Sequence, residues 1–321
     1  MSTAIRRLVS TIAGGAVCLV LGAAPAAAAG PAAVGPLLTA PAGELASSLH
    51  CPASFTRAHE PVLLVPGLLA QREWSNDYAR VLPRLGYDVC TVDLADDGRA
   101  DIQLSSEHVV YAIRTLAQRT GSRVQVIGHS EGPLEVHWAI RWWPDIRFLI
   151  DDLISLAAPY HGWAGTDIFC ATRSCVPALW QMRMASKFMG VANGGSETPG
   201  PASYTSVYSR TDQLVQPYQT ARLDGGSNIA VQDICPGRLV EHGAMVFDAV
   251  AFAAVMDALT HPGSPGDAGR VDRSSCLQTI MPGADTSAFL AAEVGSLTST
   301  PVGLAEHQVT SEPPLAPYAR G

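Results

Sequence analysis

Ser130 stands in Gly128-His129-Ser130-Glu131-Gly132, after the apolar run Val124–Ile127 and before a segment of helical character. Gly-x-Ser-x-Gly between a buried strand and a helix is the sequence form of a nucleophile elbow. The turn is so sharp that side chains beside the serine would clash, so glycine stands two residues away on either side and the hydroxyl is lifted clear of the sheet. The helix that follows would aim free amides and the positive end of its dipole at the reaction centre. A plain turn is the competing reading. A serine hydroxyl is a weak nucleophile near neutral pH; it needs a base, and the base needs an orienting carboxylate.

In this arrangement the chain order is serine, acid, histidine. Asp212, in VYSRTDQLVQP, follows a later apolar strand and is the expected acid. Asp224 lies in a Gly-rich turn and Asp248 inside an expected helix, which leaves Asp233 as the competitor. Of the histidines after Asp212, His261 precedes Pro-Gly at a helix end and His307 lies near the C-terminus, whereas His242 sits in a loop just before a helix, where a loop-borne base belongs. A helix-capping histidine is the bland alternative for His242. His129 and His161 are not assigned the base role. The oxyanion of a tetrahedral intermediate needs amide donors; these are expected from Glu131, after the nucleophile, and from Leu68, in the loop after the first strand. A Glu131 carboxylate pointing at that anion would oppose catalysis, so its side chain is expected to turn away.

The elements that must position these groups are legible as an alternation. Short apolar runs at 61–67, 86–94, 123–130, 150–159, 204–212 and 227–234 read as strands, and 105–121 and 131–144 read as helices, the first capped by Ser105 and closed by Gly121, the second ended by Pro144. Residues 30–60 read as an irregular lead-in. Strands alternating with helices imply an α/β fold, a mostly parallel central sheet with helices on both faces, whose site forms at the carboxyl ends of the strands. Residues 163–202 interrupt the alternation and read as a small inserted cap, with core helix as the alternative; from about 298 to 321 the chain reads as an irregular tail. Leu68, Leu69, Trp163, Leu179, Trp180 and Met184 are candidate walls for an apolar substrate, each also a plain core type.

The chain has 321 residues and a formal charge of −8. Arg6 and Arg7, the apolar run Leu8–Leu21 and a small-residue zone ending near Ala29 have the form of a secretory signal over 1–29, leaving 30–321 as a single domain. Losing those two arginines and no acid takes the charge from −8 to −10, which offers no broad basic footprint for nucleic acid. Of the seven cysteines, six follow Cys18; an even number in a secreted chain favours disulfides over metal or redox chemistry, with the pairing left open. Cys170 and Cys175 are spaced to close a local loop and lack a second pair at zinc-finger spacing. No metal, organic cofactor or obligatory protein partner is implied.

The segments PVLLVPG, GYDVCTVD, HSEGPLEVHWAIRWWPDIR, LISLAAPYHG, YTSVYSRTDQLVQP, VEHGAM and the closing PLAPYARG resemble, in order, those of the secreted lipases of the α/β-hydrolase fold typified by Candida antarctica lipase B. The resemblance covers most of the chain after the expected leader and implies a bacterial counterpart of those enzymes. Carried over position by position, it implies Ser130 as nucleophile, Asp212 as acid and His242 as base, and disulfides Cys51–Cys90 and Cys235–Cys276. This chain departs from the pattern at Leu68, where a threonine supplies an extra oxyanion donor, at Glu131, where glutamine stands, and at Gly128, present here as in bacterial lipases. The expected activity is hydrolysis of carboxylic esters, acylglycerols foremost, with contact at a lipid–water interface. The same triad would serve a short-chain esterase or polyesterase, or an acyltransferase; a binding protein built on an inactive hydrolase fold is the alternative of another class.

Overall fold

The computed structural model describes residues 34–70, 76–170, 174–287 and 302–320; the leader expected over 1–29 lies outside them. In chain order the elements are α1 (Ala42–Ser48), β1 (Leu49–His50), β2 (Val62–Val65), α2 (Asn76–Arg84), β3 (Val89–Val92), α3 (Ile102–Thr120), β4 (Val124–His129), α4 (Gly132–Trp142), β5 (Ile150–Leu156), α5 (Gly165–Phe169), α6 (Pro177–Gln181), α7 (Lys187–Ala192), β6 (Ser203–Tyr208), β7 (Ser227–Ala230), α8 (Val231–Ile234) and α9 (Ala249–Leu259). The sheet order is β1-β3-β2-β4-β5-β6-β7. Only β1, against β3, is antiparallel.

The side-chain period of two distributes each strand between two cores. In β2, Leu63 and Val65 join the layer formed with α3 and α4, while Val62 and Leu64 join the layer formed with α2 and α9. β4, β5 and β6 are buried along their whole length, as strands covered on both faces must be. The polar residues of β6 are tolerated because they are bonded: Ser206 Oγ donates to Ala221 O (2.6 Å) and Thr205 Oγ1 accepts from Gly266 N (2.8 Å).

Several sequence expectations are corrected. The lead-in 30–60 contains α1 and β1. α3 begins at Ile102, not at Ser105, because Asp101 Oδ1 caps it through Gln103 N (2.9 Å) and Ser105 is buried within; Gly121, at φ 70°, closes it as expected. The run 227–234 is a strand only to Ala230, then turns into α8. Asp248 is not inside α9 but caps it, accepting from Val250 N and Ala251 N. The region 163–202 holds three short helices, and much of it is core: Leu179, Met182, Phe188 and Met189 are buried against α3 and α4. The tail is partly ordered by contacts, with Val309 bridging Cys175 and Tyr318 packed on Trp138, Trp142 and Trp143. Disulfides join Cys51–Cys90, Cys170–Cys175 and Cys235–Cys276.

Candidate active site

Ser130 follows β4 directly and has φ +55°, the left-handed region that a side chain enters only when its surroundings hold it there. Its amide donates to Leu156 O at the end of β5 (2.9 Å). Clearance around it is supplied by glycines. A Cβ on Gly128 would stand 2.8 Å from the Pro133 ring, and one on Gly132 would stand 2.5 Å from the carbonyl oxygens of Val65 and Pro66. Gly67, not singled out from the sequence, is as tightly placed: a Cβ there would lie 2.8 Å from Ser130 Cβ.

His242 approaches from the loop before α9. Its Nε2 accepts from Ser130 Oγ at 2.8 Å and its Nδ1 donates to Asp212 Oδ2 at 2.8 Å. The carboxylate thereby fixes the tautomer that leaves Nε2 free to take the serine proton. Asp212 Oδ1 accepts the amides of Leu214 (2.8 Å) and Val215 (2.9 Å). Burial pushes the Asp212 carboxyl up, but the His242 hydrogen bond and charge and these two amides outweigh it and hold the group below its ordinary value.

The two loops are pinned together. Gln213 Oε1 accepts His242 N (2.8 Å), Gln213 Nε2 donates to Glu241 Oε2 (2.9 Å), and Thr211 Oγ1 both accepts from Val240 N and donates to Val240 O (3.0 Å each). His129 Nε2 donates to His242 O (3.2 Å); burial, and then the neighbouring His242, lower its pKa to about 3, so it is a neutral support.

The other candidates are committed elsewhere. Asp233 pairs with Arg210 (2.6 Å) and Asp248 with Arg238 (2.6 Å), while Asp224 lies in a surface turn. His261 bonds Asp257 O and His307 bonds Asp96 (2.6 Å each). His161 faces Glu197 (2.9 Å) and Thr220 O (3.3 Å), and the Glu197 hydrogen bond raises its pKa.

Leu68 follows Gly67 directly, and Glu131 N lies 3.4 Å from where a Cβ on Gly67 would stand. Leu69 N and Ala70 N are spent on Asp97 O (2.8 Å) and Gly67 O (3.0 Å), whereas the amides of Leu68 and Glu131 have no acceptor among the described residues. The Glu131 side chain is turned into the interior beside Gly98 and is wholly buried. Of the proposed walls, Leu179 (3 % exposed) and Trp180 (9 %) pack in the core, Leu69 and Trp163 are half-buried, and Met184 is 45 % exposed. A small cavity of about 20 Å³ underlies the serine turn, lined among others by Gly67, Tyr78, His129 and Val246. Among the described residues no group of three His, Cys, Asp or Glu side chains could hold a metal, and no helix is long and apolar enough to cross a membrane.

A sheet of this order, with a serine in the tight turn between β4 and α4 and its partners on the loops after β6 and before α9, defines an α/β-hydrolase. The relatives add the chemistry. The chain is 25% identical to lipase B of Pseudozyma antarctica over 304 residues, 89% of this chain and 86% of that protein. The crystal structure of Aspergillus fumigatus lipase B matches with a TM-score of 0.81 at 29% identity, over 88% of this chain and 72% of that one. A mature Bacillus licheniformis lipase matches in fold alone, with a TM-score of 0.50 at 16% identity over 62% of this chain and 91% of that one. No family model matches the sequence. The chain is a carboxylic ester hydrolase of the lipase and esterase type.

Proposed function

We propose that this protein is a secreted lipase that cleaves acylglycerols through Ser130, His242 and Asp212. The observation that carries the reading is the unbroken hydrogen-bond chain Ser130 Oγ–His242–Asp212, 2.8 Å at each link. Ser130 Oγ attacks the ester carbonyl carbon as His242 Nε2 takes its proton, and Asp212 stabilises the imidazolium. The negative charge that develops on the carbonyl oxygen is met by the amides of Leu68 and Glu131; losing one such donor costs about 2.7–4 kcal/mol of barrier. His242 then protonates the departing alcohol, leaving an acyl group on Ser130. Water attacks that acyl-enzyme with His242 as base, and the carboxylic acid leaves. Three disulfides fit an oxidising, extracellular setting. That two relatives are named lipases is the reason for preferring an acylglycerol substrate to a short ester.

The test is hydrolysis of p-nitrophenyl esters of increasing acyl length beside emulsified triacylglycerol, with wild type and Ser130→Ala. Turnover of long chains and emulsion that vanishes in a folded Ser130→Ala variant is expected. Activity confined to short chains would make the protein an esterase, and activity retained without Ser130 would remove the nucleophile assignment.

A further inference from the structure

Behind the nucleophile turn lie two carboxyl groups that the proposed reaction does not use. Glu131 and Glu135 stand one turn apart at the start of α4, and both are 0 % exposed. Among the described residues none of their four oxygens has a hydrogen-bond partner. Two carboxylates have only acceptors to offer, so a bond between them requires a proton on one. Both ionised, they would be buried without donors and repel one another.

Their position ties them to the oxyanion site. Gly98, at φ +82°, is packed so closely that a Cβ would lie 2.8 Å from Glu131 Oε2 and 3.1 Å from Leu68 Cα. The Glu131 carboxyl therefore fills a slot against the loop that carries one proposed oxyanion donor, and its own amide is the other.

We propose that Glu131 and Glu135 are a proton-holding pair that keeps negative charge away from the oxyanion site, with Glu135 as the positioning residue that retains the Glu131 carboxyl in its slot. This rests on the reading of Ser130 and its amide donors given above. Burial, with the neighbouring carboxyl, pushes Glu131 well above the ordinary range, and burial pushes Glu135 to about 8. At neutral pH the pair holds a proton. Once it ionises, a carboxylate stands in the low-dielectric interior beside the forming oxyanion and raises the barrier.

Titratable groups on the packed elements are engaged elsewhere. On the loop bearing Gly98, Asp96 and Asp97 pair with Arg99, which also meets Glu306. On α3, Glu107 takes the amides of Thr39 and Ala40, His108 faces Asp93 O and Glu44, and Arg114 pairs with Asp145. Arg147 donates to backbone carbonyls, as His137 does on α4 itself, and Arg141 lies over the Trp142 ring. Lys187 of α7 is exposed. Asp212, His242 and His129 bond among themselves.

The experiment is infrared spectroscopy of the full chain from neutral to alkaline pH, beside kcat and KM profiles, for wild type, Glu135→Gln and the double variant Glu131→Gln/Glu135→Gln. Wild type should show, at neutral pH, a protonated-carboxyl band that the double variant lacks. That band should disappear with the same midpoint at which kcat falls, with KM unchanged. In Glu135→Gln the amide donates to Glu131 and favours its ionised form, so the alkaline limb of kcat should move down by about one pH unit or more. In the double variant that limb should be absent. Identical carboxyl bands in wild type and the variants would overturn the pair, and one shared alkaline midpoint in all three would overturn its role in catalysis. The band does not depend on turnover, so a Ser130→Ala protein that remains active, which removes the proposed function, is distinguishable from either result.

Discussion

Ser130 holds a backbone conformation that costs a non-glycine residue of order 1–3 kcal/mol, and single atoms around it decide whether it can be held. Gly128, Gly132 and Gly67 each leave room that one methyl group would fill. The first two were legible because they fall within five residues of the serine. Gly67 was not, because its close approach is made across the sheet by a loop 63 residues away. The places of Asp212 just past a strand and of His242 just before a helix were legible from the sequence. What the residues could not reveal is where the competitors go: Asp233 is taken by Arg210 and Asp248 by α9, and both are facts of tertiary contact. At this scale the proposed triad makes a sharp prediction. Asp212→Asn should fold, since its Leu214 and Val215 amides can still bond the amide oxygen, yet lose about 10⁴-fold in kcat because the imidazole is no longer held in the right tautomer. Circular dichroism and the rate on one ester suffice; a loss of tenfold or less would remove Asp212 from the acid role.

Between elements, the geometry depends on loops that meet only after folding. The acid follows β6 and the base precedes α9, and Gln213 joins them by accepting the backbone amide of His242 while donating to Glu241. Glu241 in turn accepts from Gly243 N (3.0 Å) and Ala244 N, which fixes the 3₁₀ turn that follows the histidine. Gln213→Ala removes both bonds, and the one that holds the His242 backbone is worth about 1 kcal/mol. Its expected effect is therefore a fall in kcat of roughly fivefold with KM unchanged; a change confined to KM would place Gln213 on the substrate rather than behind the base. Nothing in the local sequence marks this glutamine, because its partners are 28 and 29 residues away. The same limit hid α2. Its buried stripe of Tyr78, Val81 and Leu82 has helical spacing, but Pro83 reads as a breaker and the surrounding residues are polar. The region read as a cap at 163–202 was ambiguous for another reason: Trp, Met and Leu look alike whether they line a pocket or fill a core.

For the whole molecule, the buried acids set a pH dependence whose sign can be worked out. Burial, reinforced by Asp151, raises Glu60 to about 7 and Asp152 to about 8, and burial raises Glu135 to about 8. In each case the folded chain keeps a proton that the unfolded chain releases near pH 4, so stability falls as pH rises toward the folded values. Burial lowers His129 to about 3 and His137 to about 4, which acts in the opposite direction, but only below their ordinary value of 6.5. His161, raised by Glu197, acts with the carboxyls. Between about pH 6.5 and pH 8, then, these effects share one sign and the thermal midpoint should fall. Glu60→Gln with Asp152→Asn should flatten that slope, and a midpoint that rises across the interval would contradict the assignment. None of this was visible in the sequence, where these acids are three among 29. The alternation of strands and helices did announce the parallel sheet, since periodicity is local; strand order and the antiparallel two-residue edge were not, since they depend on pairing. One long-range contact also bears on how the enzyme is made. Leu69, beside the proposed oxyanion donor Leu68, donates its amide to Asp97 O, and Arg99 joins that region to Glu306 across 207 residues (2.9 Å). At about 5–20 residues per second, a ribosome adds the second partner roughly 10–40 s after the first. The nascent chain therefore carries its serine turn through the synthesis of the next 176 residues without that fastening.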